Sequence, residues 1–240
     1  MPVRMPKQFF QNALRLALSE IGATIALGVT AFGVLAFALI ADETFEGETR
    51  GFDESILLAL REPGDPTNPI GPAWFEHAVV DVTALGGYVI LSMLIIGVAI
   101  YLLVAGKRGT ALLVVGAVGS GTLLSEGLKL GFARPRPGLV AHLAEVQSSS
   151  FPSGHAMVSA IAYLTLGVLL TRTHKQRRTK AVIMTYAILL TLMIGLSRIY
   201  LGVHWPTDVL AGWALGAAWA SLWWLGAWWL QRRGAVEEAS

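Results

Sequence analysis

A histidine and a carboxylate stand four residues apart in the stretch Ser197-Arg198-Ile-Tyr-Leu-Gly-Val-His204-Trp-Pro206-Thr-Asp208. Pro206 suits the first turn of a helix, so a helix is predicted to begin there, with Thr207 and Asp208 in that turn. Free N–H groups at a helix start favour an ionised Asp208. Its carboxylate is then near enough to accept a ring N–H from His204. Such a contact fixes the tautomer and leaves the other ring nitrogen nucleophilic.

Two more clusters complete a chemical set. Pro152-Ser153-Gly154-His155 comes just before an apolar run. Ser153 reads as the N-cap of a helix whose first backbone N–H groups could hold a phosphate oxygen. Gly154 lets that backbone approach an anion closely. His155 adds a second imidazole, suited to protonating a leaving oxygen because its ordinary pKa is near neutrality. The third cluster is Lys129-Leu-Gly-Phe-Ala-Arg134-Pro135-Arg136-Pro137. A lysine closing an apolar run and two arginines between prolines are costly unless they meet an anion or open water. The prolines keep the chain extended, so Arg134 and Arg136 are expected to point in the same general direction without necessarily sharing a ligand. Arginine grips phosphate oxygens bidentately, and lysine supplies a point charge. Glu126, three residues before Lys129, is placed to pair with it, either orienting the lysine or serving structure alone.

Taken singly, each of these residues has a plainer use. An arginine beside a membrane anchors headgroups, and a histidine at a helix start caps it. Two histidines, an aspartate one turn from one of them, a Ser-Gly step and the cations Lys129, Arg136 and Arg198 together favour a site that transforms an anion over transport or a structural role.

The elements that must carry these clusters look built for lipid. Of 240 residues, 54% are hydrophobic and 14% charged, and the mean hydropathy is +0.59. A soluble domain of this length would carry about a quarter charged residues. Six apolar runs fall at Ile21–Ala41, Val82–Val104, Thr110–Leu130, Ala156–Leu170, Ala181–Leu196 and Val209–Leu230, predicting an all-α, polytopic membrane bundle of six transmembrane helices. The first run is too long for a signal-peptide core and is expected to remain as a membrane helix. A single domain over 1–240 is expected, with its motif core at 129–208. The acidic segment 42–76 contains a short amphipathic stretch, Phe52–Leu60, with Asp53 near its start, and then a Pro-rich connector that returns to the membrane at Trp74.

Charge orients the bundle. Arg4, Lys7 and Arg15, then Lys107 and Arg108, then Arg172 to Lys180, then Arg232 and Arg233 all fall on one side, which the positive-inside rule makes cytoplasmic. Both termini are then cytoplasmic and the three clusters face the other way. The net charge of +2, with its basic groups in short loops, makes nucleic acid a poor partner. The chain has no cysteine, which excludes disulfides, thiolate catalysis and Cys-ligated zinc. Asp81 is placed either to cap the second span or to hold an arginine. The tryptophans Trp219, Trp223, Trp224, Trp228 and Trp229 read as an interfacial belt. His77, His142 and His174 have no matching partners.

Lysine, six residues, Arg-Pro at Lys129–Pro137, Pro-Ser-Gly-His at Pro152–His155, and Ser-Arg, five residues, His, three residues, Asp at Ser197–Asp208 together resemble the signature of the type 2 phosphatidic acid phosphatase superfamily. That superfamily includes membrane lipid phosphatases, soluble acid phosphatases and vanadium haloperoxidases; six spans resemble the first branch. The resemblance implies that His204 is the nucleophile, Asp208 its orienting carboxylate and His155 the general acid. It further implies that Lys129, Arg136, Arg198, Ser153 and Gly154 hold the phosphoryl oxygens and that neither metal nor cofactor takes part; Arg134, which falls outside the minimal signature, and Glu126, by its spacing to Lys129, are candidate accessories. The implied activity is hydrolysis of a membrane lipid phosphate or diphosphate, such as undecaprenyl diphosphate, phosphatidylglycerol phosphate or phosphatidic acid, in a bacterial inner membrane with the site outward. A phosphotransferase would use the same residues. A transporter would place its charges deeper in the spans.

Overall fold

The computed structural model describes residues 7–144 and 148–233, with side chains from Glu20 onward. Arg4 and the tail from residue 234 lie outside the described residues, and of Lys7 and Arg15 only the backbone is described. The chain is an all-α membrane bundle. Its helices are α1 (Lys7–Glu46), α2 (Arg50–Ala59), α3 (Ala73–Ala84), α4 (Tyr88–Val104), α5 (Arg108–Phe132), α6 (Gly154–Arg172), α7 (Arg177–Tyr200) and α8 (Pro206–Arg232).

Five helices are individually long and apolar enough to span: the Glu20–Glu46 part of α1, and α5 to α8. The second expected span, Val82–Val104, is not one helix. It is the bent pair α3 and α4, turned by 46° at Leu85–Gly87. The break comes at Gly86-Gly87, where Gly86 N donates to Thr83 O at 3.0 Å and Gly87 N to Ala84 O at 2.9 Å. Tyr163 Oη reaches across from α6 to satisfy Leu85 O at 2.8 Å, so the interrupted ladder does not leave that carbonyl bare in an apolar setting. Gly86 makes room for Ile194, whose Cγ2 would clash with an added Cβ, with His155 Cδ2 farther off at 3.4 Å.

The amphipathic stretch forms α2, with Asp53 and Leu57 buried on one face. The Pro-rich connector is not simply extended. It folds into a hairpin of β1 (Arg61–Glu62) and β2 (Asp65–Pro69), antiparallel, with Arg61 opposite Pro69 and Glu62 opposite Asp65. Gly64 takes the left-handed conformation of its turn (φ 86°), which a side chain would resist. Asp81 lies on an exposed face inside α3 and so caps nothing.

The main core gathers Leu91 and Ile95 of α4, Val114 and Ala117 of α5, Met157, Val158 and Ile161 of α6, and Leu215 of α8. Trp219 and Trp223 pack against it, and Trp219 Nε1 donates to Ala117 O at 3.2 Å. Those two tryptophans therefore serve the bundle interior. Trp228 and Trp229 instead lie against the guanidinium groups of Arg232 and Arg233.

Helix α8 is central because its small residues admit neighbouring backbones. A Cβ on Gly212 would lie 2.8 Å from Ser153 O, one on Gly216 2.7 Å from Met157 O, and one on Gly33 of α1 2.5 Å from Ala214 O. Close approach of this kind is how membrane helices gain packing without a hydrophobic drive between them. Gly212→Ala should therefore destabilise by about 1–3 kcal/mol, read as a lower thermal midpoint in detergent. Gly97→Ala, where nothing lies within 4 Å, should not lower it.

Candidate active site

Four helix ends meet at one end of the bundle: the C-termini of α5 and α7 and the N-termini of α6 and α8. They bring together Lys129, Ser153 to His155, Arg198, and the segment from His204 to Asp208. The opposite end holds Arg108, Arg172, Arg177 and Arg232.

Trp205 is the N-cap of α8 and Pro206 its first residue, as the proline predicts. Asp208, in the third position, accepts Trp205 N–H at 2.9 Å and is fully buried. Its Oδ2 faces His204 Nδ1 at 3.3 Å and accepts a hydrogen bond from Ser150 Oγ. Its Oδ1 accepts from Arg134 Nη1 at 2.5 Å. Because Nδ1 faces a carboxylate, Nε2 is left with its lone pair, and it is 3.2 Å from Arg136 Nη1. Burial pushes the His204 ring down to about 4; the Asp208 contact works against this, and Arg198 and Arg136 add to it. The ring is therefore neutral across the physiological range, as an attacking nitrogen must be.

Arg136 and Arg134 both reach the His204–Asp208 pair but do not share a ligand. Arg136 Nε donates to Ser148 O at 2.8 Å and Nη1 to Val203 O, holding it beside His204. Arg134 turns to the other side of the Asp208 carboxylate. There its Nη2 also pairs with Asp53 at 2.8 Å and its Nη1 bonds Thr207 Oγ1 at 2.9 Å. Two buried carboxylates draw Arg134 away, whereas Arg136 meets only carbonyls, a hydroxyl and the imidazole.

Lys129 Nζ pairs with Glu126 Oε1 at 2.9 Å and lies 3.4 Å from Ser148 Oγ. The same Glu126 oxygen accepts from Tyr88 Oη at 2.5 Å. A Cβ at Gly154 would come within 2.9 Å of Lys129 Nζ and 2.8 Å of Tyr88 Oη, so the glycine makes room for the lysine to reach the start of α6. Arg198 lies in the last turn of α7, 4% exposed. Its Nη1 donates to Thr83 Oγ1 at 3.0 Å, and its Nε has no partner. His155, at the start of α6, is within electrostatic reach of Arg198, His204, Lys129 and Arg136.

Ser153 is the N-cap of α6 by position, but its hydroxyl makes no capping bond. The hydroxyl is buried and unpartnered, kept free inside the site instead of being spent on the helix. Its backbone N–H donates to Asp208 O at 3.0 Å, tying the two motif segments together. His142 bonds Pro137 O through Nε2, and His174 lies at the far end of the bundle.

Several residues of this constellation were not assigned to the site from the sequence: Asp53, Thr83, Tyr88, Thr207 and the serines Ser148 to Ser150. The serine run immediately before Pro152-Ser153-Gly154-His155 was the most visible signal. Thr207 stands inside a motif and Asp53 opens an amphipathic helix, but nothing local tells of their partners. Among the described residues no three His, Asp or Glu side chains converge as a metal site.

Residues 110–232 match the model of the PAP2 superfamily, just over half the chain. The chain belongs to the PAP2 superfamily. It is 32% identical over 187 residues to phosphatidylglycerophosphatase B of Bacillus subtilis, covering 76% of this chain and 86% of that protein. A shorter stretch of 68 residues is 40% identical to an undecaprenyl-diphosphatase of Sulfolobus acidocaldarius, covering 28% and 29% of the two chains. The crystal structure of a transmembrane PAP2 type phosphatidylglycerolphosphate phosphatase from Bacillus subtilis superposes with a TM-score of 0.73 at 30% identity, over 81% of this chain and 93% of that one. The residues matched by the family model, 110–232, contain all three motif segments but not α2 or the hairpin.

Proposed function

We propose that this chain hydrolyses a terminal phosphoryl group from a membrane lipid phosphate or diphosphate, through a phosphohistidine on His204. The observation that carries this reading is the set of unanswered donors. Arg198 is buried with no carboxylate partner, and its Nε, like Ser153 Oγ, has no acceptor within the protein. Buried cations and hydroxyls are expensive unless a counter-charge completes them. Lys129, Arg136 and Arg198 surround the same place with a single carboxylate, Glu126, among their direct partners, which suits a phosphoryl group.

The geometry supports the following steps. Nε2 of His204 attacks phosphorus while Lys129, Arg136 and Arg198 take the charge on the equatorial oxygens. The bond to the leaving oxygen breaks, and His155 supplies its proton. Water then attacks the phosphohistidine, His155 takes the proton of that water, and inorganic phosphate leaves. These cations cover the charge that a metal ion would otherwise neutralise, so no metal is invoked.

The names of the relatives, a phosphatidylglycerophosphatase and an undecaprenyl-diphosphatase, support a membrane lipid as the carrier of that phosphoryl group. The segregation of basic residues to the other end supports cytoplasmic termini and a site on the outer face of a bacterial inner membrane.

Release of inorganic phosphate from a panel of phosphatidic acid, phosphatidylglycerol phosphate and undecaprenyl diphosphate in detergent tests the proposal. Activity on at least one of them should survive EDTA and be inhibited by orthovanadate, which adopts the five-coordinate geometry of the transferring group. Loss on chelation with recovery on adding Mg²⁺ would defeat the metal-independent scheme.

A further inference from the structure

The segment before the family-matching region contributes a buried charge to the site. Asp53 of α2 has no exposed surface. Its Oδ1 accepts the Thr207 N–H at 2.9 Å. Its Oδ2 accepts Thr207 Oγ1–H at 2.7 Å and Arg134 Nη2–H at 2.8 Å. Arg134 in turn grips Asp208, and Thr207 stands next to Asp208 in the first turn of α8. These bonds of Asp53 therefore end on groups that hold the His204–Asp208 pair.

Two consequences follow. One arginine lies between two buried carboxylates, so its charge is shared; Asp53 draws Arg134 partly off Asp208, which stays a better acceptor for the His204 ring N–H. Asp53 also satisfies one of the unpaired N–H groups of the α8 start, which fixes where the helix begins and hence where His204 sits. A second contact from the same segment braces the other end of the turn, where Arg61 Nη1 donates to Tyr200 O at 3.0 Å. We propose that Asp53 is a positioning residue for His204, acting through Arg134 and Thr207 on Asp208, so that α2 is part of the reacting assembly and not merely a surface connector. This inference rests on the reading of His204 as the attacking group.

The test uses full-length protein in detergent and measures three quantities: the burst rate of phosphoryl-enzyme formation, the inhibition constant of orthovanadate, and the thermal midpoint. In Asp53→Asn the amide still accepts from Thr207 N, but it no longer carries the charge that shares Arg134. The burst rate should fall at least about tenfold while vanadate inhibition stays within about threefold, because the cations that hold the anion are untouched. Glu54→Gln on the same helix should match wild type. Arg134→Gln severs the tie between Asp53 and Asp208 from its other end; Asp208 gains basicity but loses the contact that holds it in place, so if Asp53→Asn does not accumulate this variant tests the positioning with the same expected split. Where both accumulate, the double variant should be no slower than the slower single one, since groups acting through one linkage are not additive. A wild-type burst rate in Asp53→Asn would overturn the proposal, as would a parallel loss of rate, vanadate affinity and thermal midpoint, or additive losses. Wild-type turnover in His204→Ala would instead defeat the phosphohistidine reading itself, and the inference with it.

Discussion

His204→Ala is expected to lose turnover by about four orders of magnitude or more, the scale for removing an attacking side chain whose partners are left in place. The buried imidazole is neutral, its Nδ1 committed to Asp208 and its Nε2 directed toward Arg136, so no neighbouring group can replace that lone pair. His155 belongs to another helix and is proposed for the proton, not the attack. The variant should retain its anion-binding set, because Lys129, Arg198 and Ser153 make no hydrogen bond to the His204 ring. Rapid-quench labelling with a radioactive lipid phosphate should therefore show no acid-labile phosphoryl-enzyme, while vanadate still protects against thermal unfolding. A full burst of labelled protein in this variant would put the phosphoryl group on another residue.

The second large effect is Asp208→Asn, expected to slow phosphoryl-enzyme formation by about three to four orders of magnitude, as for an orienting carboxylate replaced by its amide. The reason is an accounting of donors. Asp208 accepts from Arg134 on one oxygen, and from Trp205 N–H and Ser150 on the other, which also faces His204 Nδ1. An asparagine has one oxygen and one NH₂, so a donor must now confront a donor. With the NH₂ toward Arg134, the buried ion pair is lost. With the NH₂ toward His204, Nδ1 must become the acceptor and the proton moves to Nε2, the nitrogen that is to attack. Single-turnover rates check this. A loss below about tenfold would mean that the 3.3 Å contact does not govern the tautomer.

What the sequence alone determined is what short-range rules govern. Pro206 placed the start of α8, and the Pro-Ser-Gly step that of α6. Apolar runs located the spans, and the spacing around Asp53 and Leu57 marked an amphipathic helix, because helix periodicity and capping are read within one or two turns. The motif spacings gave the family, since each motif lies at a helix end and the helices bring the ends together. The tertiary structure alone decided how the charges are divided. Arg134 and Arg136 are chemically alike and two residues apart. One is spent on carboxylates 74 and 81 residues away, and the other is held beside His204; no local signal distinguishes them. The same holds for Thr83, which meets Arg198 across 115 residues, and for Asp53, whose partners come from two other segments. The bend at Leu85–Gly87 was also a tertiary outcome. A Gly-Gly pair inside an apolar run permits a break, but Tyr163 satisfying Leu85 O and the close approach of Ile194 to Gly86 are what stabilise it, because only a folded bundle supplies those partners away from water.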